Sequence, residues 1–545
     1  MTAGRTSPRG ASDSRARWLV PGAFAVAMVF RLVGLGGSSM WLDEIMETLM
    51  ARDGLGELFP NLFYDRAQPP IEPLFTWMLL ALGQGELVRR LINAVLGAAA
   101  VALFARWVAR RFDLPTAALT ALFLAASPLL VRYSHELRPY ALSLLFSVWA
   151  LDAGERWLER GADRFPVELA CAAGLAAMTH YLAVALWLPV AAAWFEARSA
   201  GRVAPLGVRL PAAMGLALLP LAAWFALLAA YGGPRQSIRT AQWDWALVER
   251  RFDDLLFRGS VDQPVIAGGA MLMALLTVVG FGVLARRYGG LTVFSGLFAG
   301  TVAVEVALLT MGRFSNVRYN QFGLLFLLTA IAAGIVACAR LLGAFNRSSG
   351  FATATLLGGA VVATFLTGLV AYSEHGRPDW PSVSRAVVAL RGPDAYVVTT
   401  NQWAQISLGY YLERYRVLRE PPRRIVTVLG DRGRVLEEIA GQPQGCVLVL
   451  DAGFQMPEGL LEGLRPRHPI VSLPDTNRAR LFQFASGKTP RQACFPPPEF
   501  RLEPSPGYGS LLPWLAGRGA ARSGRDRELA RGSLPDRLKQ GAGPA

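Results

Sequence analysis

Four short polar segments stand out among long apolar runs, and each holds groups able to act on a hydroxyl or a phosphate. Trp41-Leu42-Asp43-Glu44 opens an amphipathic helix with two acids in its first turn, where they also favour the helix dipole. A carboxylate held level with a membrane surface, Asp43 with Glu44 beside it, could serve as a general base on an acceptor hydroxyl. Tyr64-Asp65-Arg66-Ala67-Gln68-Pro69-Pro70 ends on paired prolines, which either hold the polar residues before them rigidly or merely stop a helix. Tyr133-Ser134-His135-Glu136-Leu137-Arg138-Pro139-Tyr140 packs an imidazole, a carboxylate and a guanidinium into one turn at the start of an apolar run. That arrangement is costly beside a bilayer unless the groups are used. Arg138 can hold phosphate oxygens through charge-assisted hydrogen bonds, most strongly as leaving-group charge develops. Glu136 either orients that arginine or binds a divalent cation; the bland alternative is a solvated turn with Arg138 reaching for headgroups. Asn316-Val317-Arg318-Tyr319 supplies a second arginine for a lipid phosphate, or an interfacial Arg–Tyr anchor.

The elements that must position these groups are membrane helices. Of 545 residues, 53% are hydrophobic and only 17% charged, where a soluble chain carries about a quarter charged. The apolar residues come in blocks of roughly 18 to 25, enough to cross about 30 Å of hydrocarbon. The net charge of +15 comes from arginine clusters at one set of loop ends, which places those ends in the cytoplasm against anionic lipid rather than on nucleic acid.

Residues 1–17 form a polar cytoplasmic tail without a cleavable signal, and the first span runs from about Trp18 to Leu35. Ile71 to Gly83, at about 13 residues, is too short to span and suits a re-entrant or interfacial helix. With that segment held on the outer side, Arg110-Arg111 falls in the cytoplasm and every later arginine cluster obeys the positive-inside rule. The later spans run from about 91 to 108, 114 to 131, 139 to 157, 210 to 231, 265 to 284, 291 to 311, 319 to 342 and 351 to 372. Phe165–His180 and Tyr181–Phe195 form a short pair meeting outside, and Gly232–Gln263 is a long outer loop with an amphipathic stretch at Trp243–Phe257. The sequence thus predicts a polytopic α-helical membrane protein of about eleven spans plus juxtamembrane helices. Residues 18–375 make the transmembrane domain, with a first outer loop over 36–90.

From about residue 376 the composition becomes that of a soluble, extracytoplasmic α/β domain reaching to 495, with strands at Ala395–Thr399, Arg424–Leu429 and Cys446–Leu450. Residues 496–545 are Pro-, Gly- and Arg-rich, the composition of a disordered basic tail. Cys446 and Cys494 could pair in that compartment, whereas Cys171 and Cys338 lie in apolar blocks. There is no CxxC spacing, no internal repeat and no nucleotide-binding loop.

Taken in order, Trp41-Leu42-Asp43-Glu44, Gln68-Pro69-Pro70, Arg89-Arg90-Leu91, Tyr133–Tyr140, Thr179-His180-Tyr181, Arg318-Tyr319 and Arg377-Pro378-Asp379-Trp380 resemble the GT-C membrane glycosyltransferases of the family-39 type. That group includes protein O-mannosyltransferases, the aminoarabinose transferase of lipid A and Rgt-type galacturonosyl transferases. The resemblance covers about the first 400 residues and implies an inverting transfer from a polyprenyl-phosphate sugar at the outer face of the cytoplasmic (inner) membrane. The acceptor would be a lipid, a glycan or a protein. By match to the family motifs, Asp43 would be the base, with Glu44 beside it. His135, Glu136, Arg138, Tyr140, Arg318 and Tyr319 would lie at the donor phosphate, and Asp65, Gln68, His180 and Tyr181 in the substrate pocket. Gln68 stands where many relatives carry His or Lys. No cofactor is specified beyond the open divalent cation. The rival reading is a transporter or flippase of lipid-linked sugars, but the charges gather at the outer surface rather than at mid-membrane.

Overall fold

The computed structural model describes residues 9–36, 39–65, 68–83, 85–203, 208–231, 264–310, 317–374 and 380–391. Beyond these it describes 396–399, 402–414, 424–427, 445–451, 471–472 and 480–486. Arg66, Ala67, loop 232–263, Asn316, Arg377-Pro378-Asp379, Cys494 and the tail 496–545 lie outside the described residues. The chain divides into two compact units, residues 1–33 with 50–373 and residues 34–49 with 374–545.

The first unit is helical. Its elements begin with α1 (Arg9–Leu32), and α2 (Leu42–Arg52) starts in the other unit and ends in this one. There follow α3 (Leu55–Asp65), α4 (Ile71–Ala81), α5 (Glu86–Arg111), α6 (Leu114–Ala126), α7 (Pro128–Ser134) and α8 (Tyr140–Glu159). Next come α9 (Val167–Thr179), α10 (Trp187–Ser199) and α11 (Arg209–Tyr231), then helices Pro264–Tyr288, Gln321–Gly343 and Arg347–Glu374. Between the first two of that last group, Leu291–Phe298 runs through a π-helical turn, Ala299–Ala303, into Val304–Thr310.

Among the described residues six helices are long and apolar enough to cross a membrane, or seven if α6 and α7, bent by 59°, form one span. The sequence reading counted more. α1 falls outside because Arg15, Arg17 and Arg31 share its apolar stretch, α8 because Asp152, Glu155 and Arg156 occupy its second half, and α9 and α10 because each has only 13 residues. α1 starts within the polar stretch, at Arg9, so the expected tail of 17 residues is helical in its second half. The short segment after Pro69-Pro70 is a helix of 11 residues, Ile71–Ala81. The α6–α7 bend has a local cause. Pro128 lacks an N–H, and the Ser127 hydroxyl restarts the helix by accepting the Leu130 N–H at 3.5 Å.

Helices pack in sequence: α1 on α5 and α6, α5 on α8, α8 on α9, α9 on α11, and Pro264–Tyr288 along Gln321–Gly343. The last pair can approach closely because Gly280 faces the Ala330 carbonyl and Gly334 faces Leu276, where no side chain would fit. Phe104 and Trp107 stack at 5.2 Å, and Phe326 meets both edge-on at 5.8 and 5.9 Å.

At one end of the bundle a partly buried ionic network ties helix ends together. Arg111 bonds Glu155 at 3.1 Å and also pairs with Glu196, while Arg106 reaches Asp152 at 2.6 Å. Arg156 bridges Asp152 and Glu168, and Arg340 reaches Asp113 at 2.9 Å. The C-terminal ends of α5, α8, α10 and Gln321–Gly343 therefore lie on one side. Read alone, the arginines at these ends register only as a topology signal; apart from the Asp152–Arg156 pair within α8, the acids bonded to them come from other helices.

The second unit contains a five-stranded sheet of order β2-β1-β3-β5-β4. Its strands are β1 (Tyr396–Thr399), β2 (Arg424–Thr427), β3 (Gly445–Asp451), β4 (Val471–Ser472) and β5 (Arg480–Ser486). β1 pairs in parallel with β2 and β3, with Val397 opposite Ile425 and Leu448, and helix Gln402–Arg414 makes the crossover from β1 to β2. β5 runs antiparallel to β3 and β4. Helix Trp380–Arg391 packs on Gln402–Arg414, which in turn packs on β1 and β2.

Candidate functional site

The turn between α7 and α8 carries Ser134, His135, Glu136, Leu137 and Arg138, and it is held from beneath by two other helices. Arg31, near the end of α1 and fully buried, donates from Nε to Ser134 Oγ at 3.0 Å and from Nη1 to the Ala27 carbonyl at 3.2 Å. Ser134 Oγ in turn donates to the Leu130 carbonyl at 2.6 Å. The Arg31 carbonyl meets His135 Nε2 at 2.7 Å. A carbonyl can only accept, so that nitrogen carries a proton. From α5, Asn93 Nδ2 donates to the Glu136 carbonyl at 2.6 Å, and Gly97 leaves the room in which Ser134 and Arg31 meet. Glu136, 2% exposed, takes Arg132 as ion-pair partner at 3.1 Å.

Arg31 was missed by the sequence reading because a lone arginine near the end of an apolar run looks like a snorkelling anchor. Its partners in other elements, Ser134 and His135, lie 103 and 104 residues away. The sequence offers Glu136 either Arg138 or a cation, whereas the structure gives it Arg132, four residues earlier, as an ion-pair partner.

Beside this turn lies an aromatic and cationic cluster. The Arg318 guanidinium stands 5.8 Å from the Tyr140 ring centre and 5.3 Å from that of Tyr319, and its Nη2 reaches the Tyr319 hydroxyl at 3.4 Å. His180 lies 5.8 Å from Tyr140 and 5.6 Å from Tyr319, ring centre to ring centre. Arg138 and Arg318 are both within electrostatic reach of His180. His180 caps the short helical turn Tyr181–Leu186, its Nδ1 accepting the Leu182 N–H at 3.3 Å. Arg138, Arg318, Tyr319 and His180 are half-buried, which leaves each able to meet a ligand.

The structure thus brings together His135, Glu136, Arg138 and Tyr140 with His180, Arg318 and Tyr319. Tyr181 turns toward α11, where its hydroxyl accepts the Trp224 indole N–H at 3.0 Å and its ring stacks on Phe225 at 5.2 Å. Asp65 ends α3, and its side chain lies outside the described residues. Gln68 is buried, as are Glu72, Glu86, Arg89 and Arg90 nearby in sequence, a larger polar set than the motif suggested.

Asp43 and Glu44 belong to the second unit and divide their roles at the start of α2. Trp41 is the N-cap: its carbonyl accepts the Ile45 N–H at 3.0 Å, and its own N–H donates to Glu44 Oε2 at 2.7 Å. Glu44 therefore closes a capping-box contact and is wholly buried. Asp43, one residue earlier, is half-buried. Among the described residues no group of three or more His, Cys, Asp or Glu side chains could hold a metal ion.

Part of the chain matches a known family, and its fold is similar to that of a solved membrane protein. Residues 67–229 match the family described as dolichyl-phosphate-mannose-protein mannosyltransferase. The chain is similar in structure to ArnT from Cupriavidus metallidurans in the apo state, at 15% identity and a TM-score of 0.53, over 89% of this chain and 100% of that one. Against the same enzyme bound to undecaprenyl phosphate the values are 14% identity and a TM-score of 0.50, over 85% and 97% of the two chains. No curated protein sequence matches the chain.

Proposed function

We propose that the protein is an inverting glycosyltransferase that moves a sugar from a polyprenyl-phosphate donor to an acceptor on the outer face of the cytoplasmic membrane. The observation that carries this reading is the pairing of two half-buried guanidiniums, Arg138 and Arg318, around Tyr140, Tyr319 and His180. Two positive charges suit a phosphodiester whose negative charge grows as its bond to the sugar breaks and the lipid phosphate monoester leaves. The fold is shared with an enzyme whose structure holds undecaprenyl phosphate, which supports that donor class.

In the reaction, the acceptor oxygen forms a bond to the anomeric carbon as the bond from that carbon to the phosphate oxygen breaks. The electron pair leaves with the lipid phosphate, held by Arg138 and Arg318, and the acceptor proton passes to the Asp43 carboxylate. A single displacement inverts the anomeric centre. Glu44, engaged in the helix cap, supports Asp43 rather than taking the proton itself. His135, Glu136 and Tyr140 shape the donor end, while Gln68 and His180 line the sugar side with Asp65 and Tyr181 as outlying contributors. Residues 18–375 form the catalytic membrane domain, with the N-terminus cytoplasmic and 376–495 outside.

The test is donor consumption by the purified protein in nanodiscs, followed by mass spectrometry with a panel of polyprenyl-phosphate sugars and a membrane extract as acceptor. Consumption of one donor that disappears in Asp43→Asn, with folding intact, is expected. Consumption that persists in Asp43→Asn removes Asp43 as the base, and inertness toward every donor removes the transferase reading.

A further inference from the structure

The sequence leaves the C-terminal domain without a task, and one contact inside the second unit gives it one. Residues 34–49, the approach to α2 and its first two turns, cluster with residues 374–545 rather than with the helical bundle that precedes and follows them. One link to the domain is a hydrogen bond spanning 371 positions of sequence: the Met40 backbone N–H donates to the Tyr411 hydroxyl at 2.7 Å. Both residues are fully buried. Tyr411 lies on helix Gln402–Arg414, which packs on β1 and β2, so its ring is fixed by the sheet.

The position of this bond is what matters. Met40 immediately precedes the N-cap Trp41, and the two consecutive backbone N–H groups at the helix entry are satisfied by two side chains, Tyr411 for Met40 and Glu44 for Trp41. Asp43 stands in the first turn immediately beyond. A helix entry fixed at two successive amides has its first-turn side chains fixed in direction as well. Resting on the reading of Asp43 as the base, we propose that Tyr411 is a positioning residue. Through the Met40 amide it makes the C-terminal domain a clamp that holds Asp43 at the acceptor hydroxyl.

Tyr411→Phe deletes one oxygen and keeps the buried ring. Tyr411→Phe is expected to lower kcat about tenfold or more, since a base displaced by an ångström loses that order of rate. The donor KM should stay within about twofold, because the donor phosphate is held by Arg138 and Arg318 in the other unit. Hydrogen–deuterium exchange of the peptide covering residues 39–49 should rise in the variant, while that of 132–140 should not. Tyr411→Trp, which forces the ring to move, serves as a destabilised control in which thermal stability falls and the residual folded fraction is assayed separately. Unchanged kcat in Tyr411→Phe overturns the proposal, as does unchanged exchange at 39–49, or a loss of activity that merely follows the loss of folded protein. If the wild-type protein consumes no donor, the transferase reading falls by itself. Exchange at 39–49 then still decides whether Tyr411 fixes the helix entry.

Discussion

Substituting Gly97 by alanine should destabilise this protein, against the usual sign for a glycine inside a helix. Gly→Ala in a helix interior ordinarily gains up to about 1 kcal/mol from propensity. At Gly97 the new methyl would overlap Ser134 Oγ and come within 3.0 Å of Ser134 Cβ and 3.1 Å of Arg31 Nε. Ser134 must move, and its bond from Arg31 ties the guanidinium to another helix. Hydrogen bonds to charged groups are worth about 1.5–3 kcal/mol, and overpacking a tight site costs about 1–3 kcal/mol. The two penalties describe the same displacement and do not simply add, so the net loss is about 2 kcal/mol. Thermal unfolding in nanodiscs should show a fall in midpoint on the order of a few degrees. Gly215→Ala is the matched control, because nothing lies within 4 Å of the added methyl there. Should Gly97→Ala match or exceed Gly215→Ala in stability, the tight Arg31–Ser134–Gly97 junction would be refuted.

Arg138→Ala should weaken binding of the polyprenyl-phosphate donor by about 10–100-fold, the worth of a charged hydrogen bond, as read by titration of the lipid into nanodiscs. Unchanged affinity would remove Arg138 from the phosphate site. Asp113 caps α6 and bonds Arg340; desolvation pushes its carboxyl up, but the Thr116 hydrogen bonds and the Arg340 charge outweigh this and hold it below the usual carboxylate range. A depressed folded-state value means stability that is fully present above about pH 4 and lost as pH falls through the folded value. Asp113→Ala should therefore cost about 1 kcal/mol at neutral pH, with the gap to wild type closing on acidification. A protease added outside spheroplasts should cleave residues 376–495; protection of that domain would reverse the proposed orientation.

Much of the architecture was legible because a bilayer restricts what a chain can do. Long apolar blocks must be helices there, and arginine clusters mark one side. The helices Glu86–Arg111, Arg209–Tyr231, Gln321–Gly343 and Arg347–Glu374 follow from that alone. The blocks counted as spans at α8, α9 and α10 are shorter or more charged than the count required, because apolar composition says nothing about which face meets lipid and which meets buried acids. The core strands β1, β2 and β3 were visible as short apolar runs, whereas β4 has two residues and no periodicity to read.

The residue types of the site could be named from the sequence because charge and histidine beside a membrane are expensive and therefore conspicuous. Their division of labour could not. Asp43 and Glu44 are adjacent and chemically alike; in the structure Glu44 is buried and takes the 2.7 Å bond from the Trp41 N–H, while Asp43 is half-buried. Arg31 reads as an anchor in its own helix and becomes a buried support only where α5 and α7 close over it. By itself the sequence determined the membrane helices, the polar segments and the kind of chemistry they suit, since those follow from local composition and the bilayer's cost for charge. Only the tertiary structure decided that residues 34–49 join the C-terminal unit, and that the amide of Met40 meets the hydroxyl of Tyr411. Contacts between residues so far apart depend on how whole elements pack, and no local pattern records that.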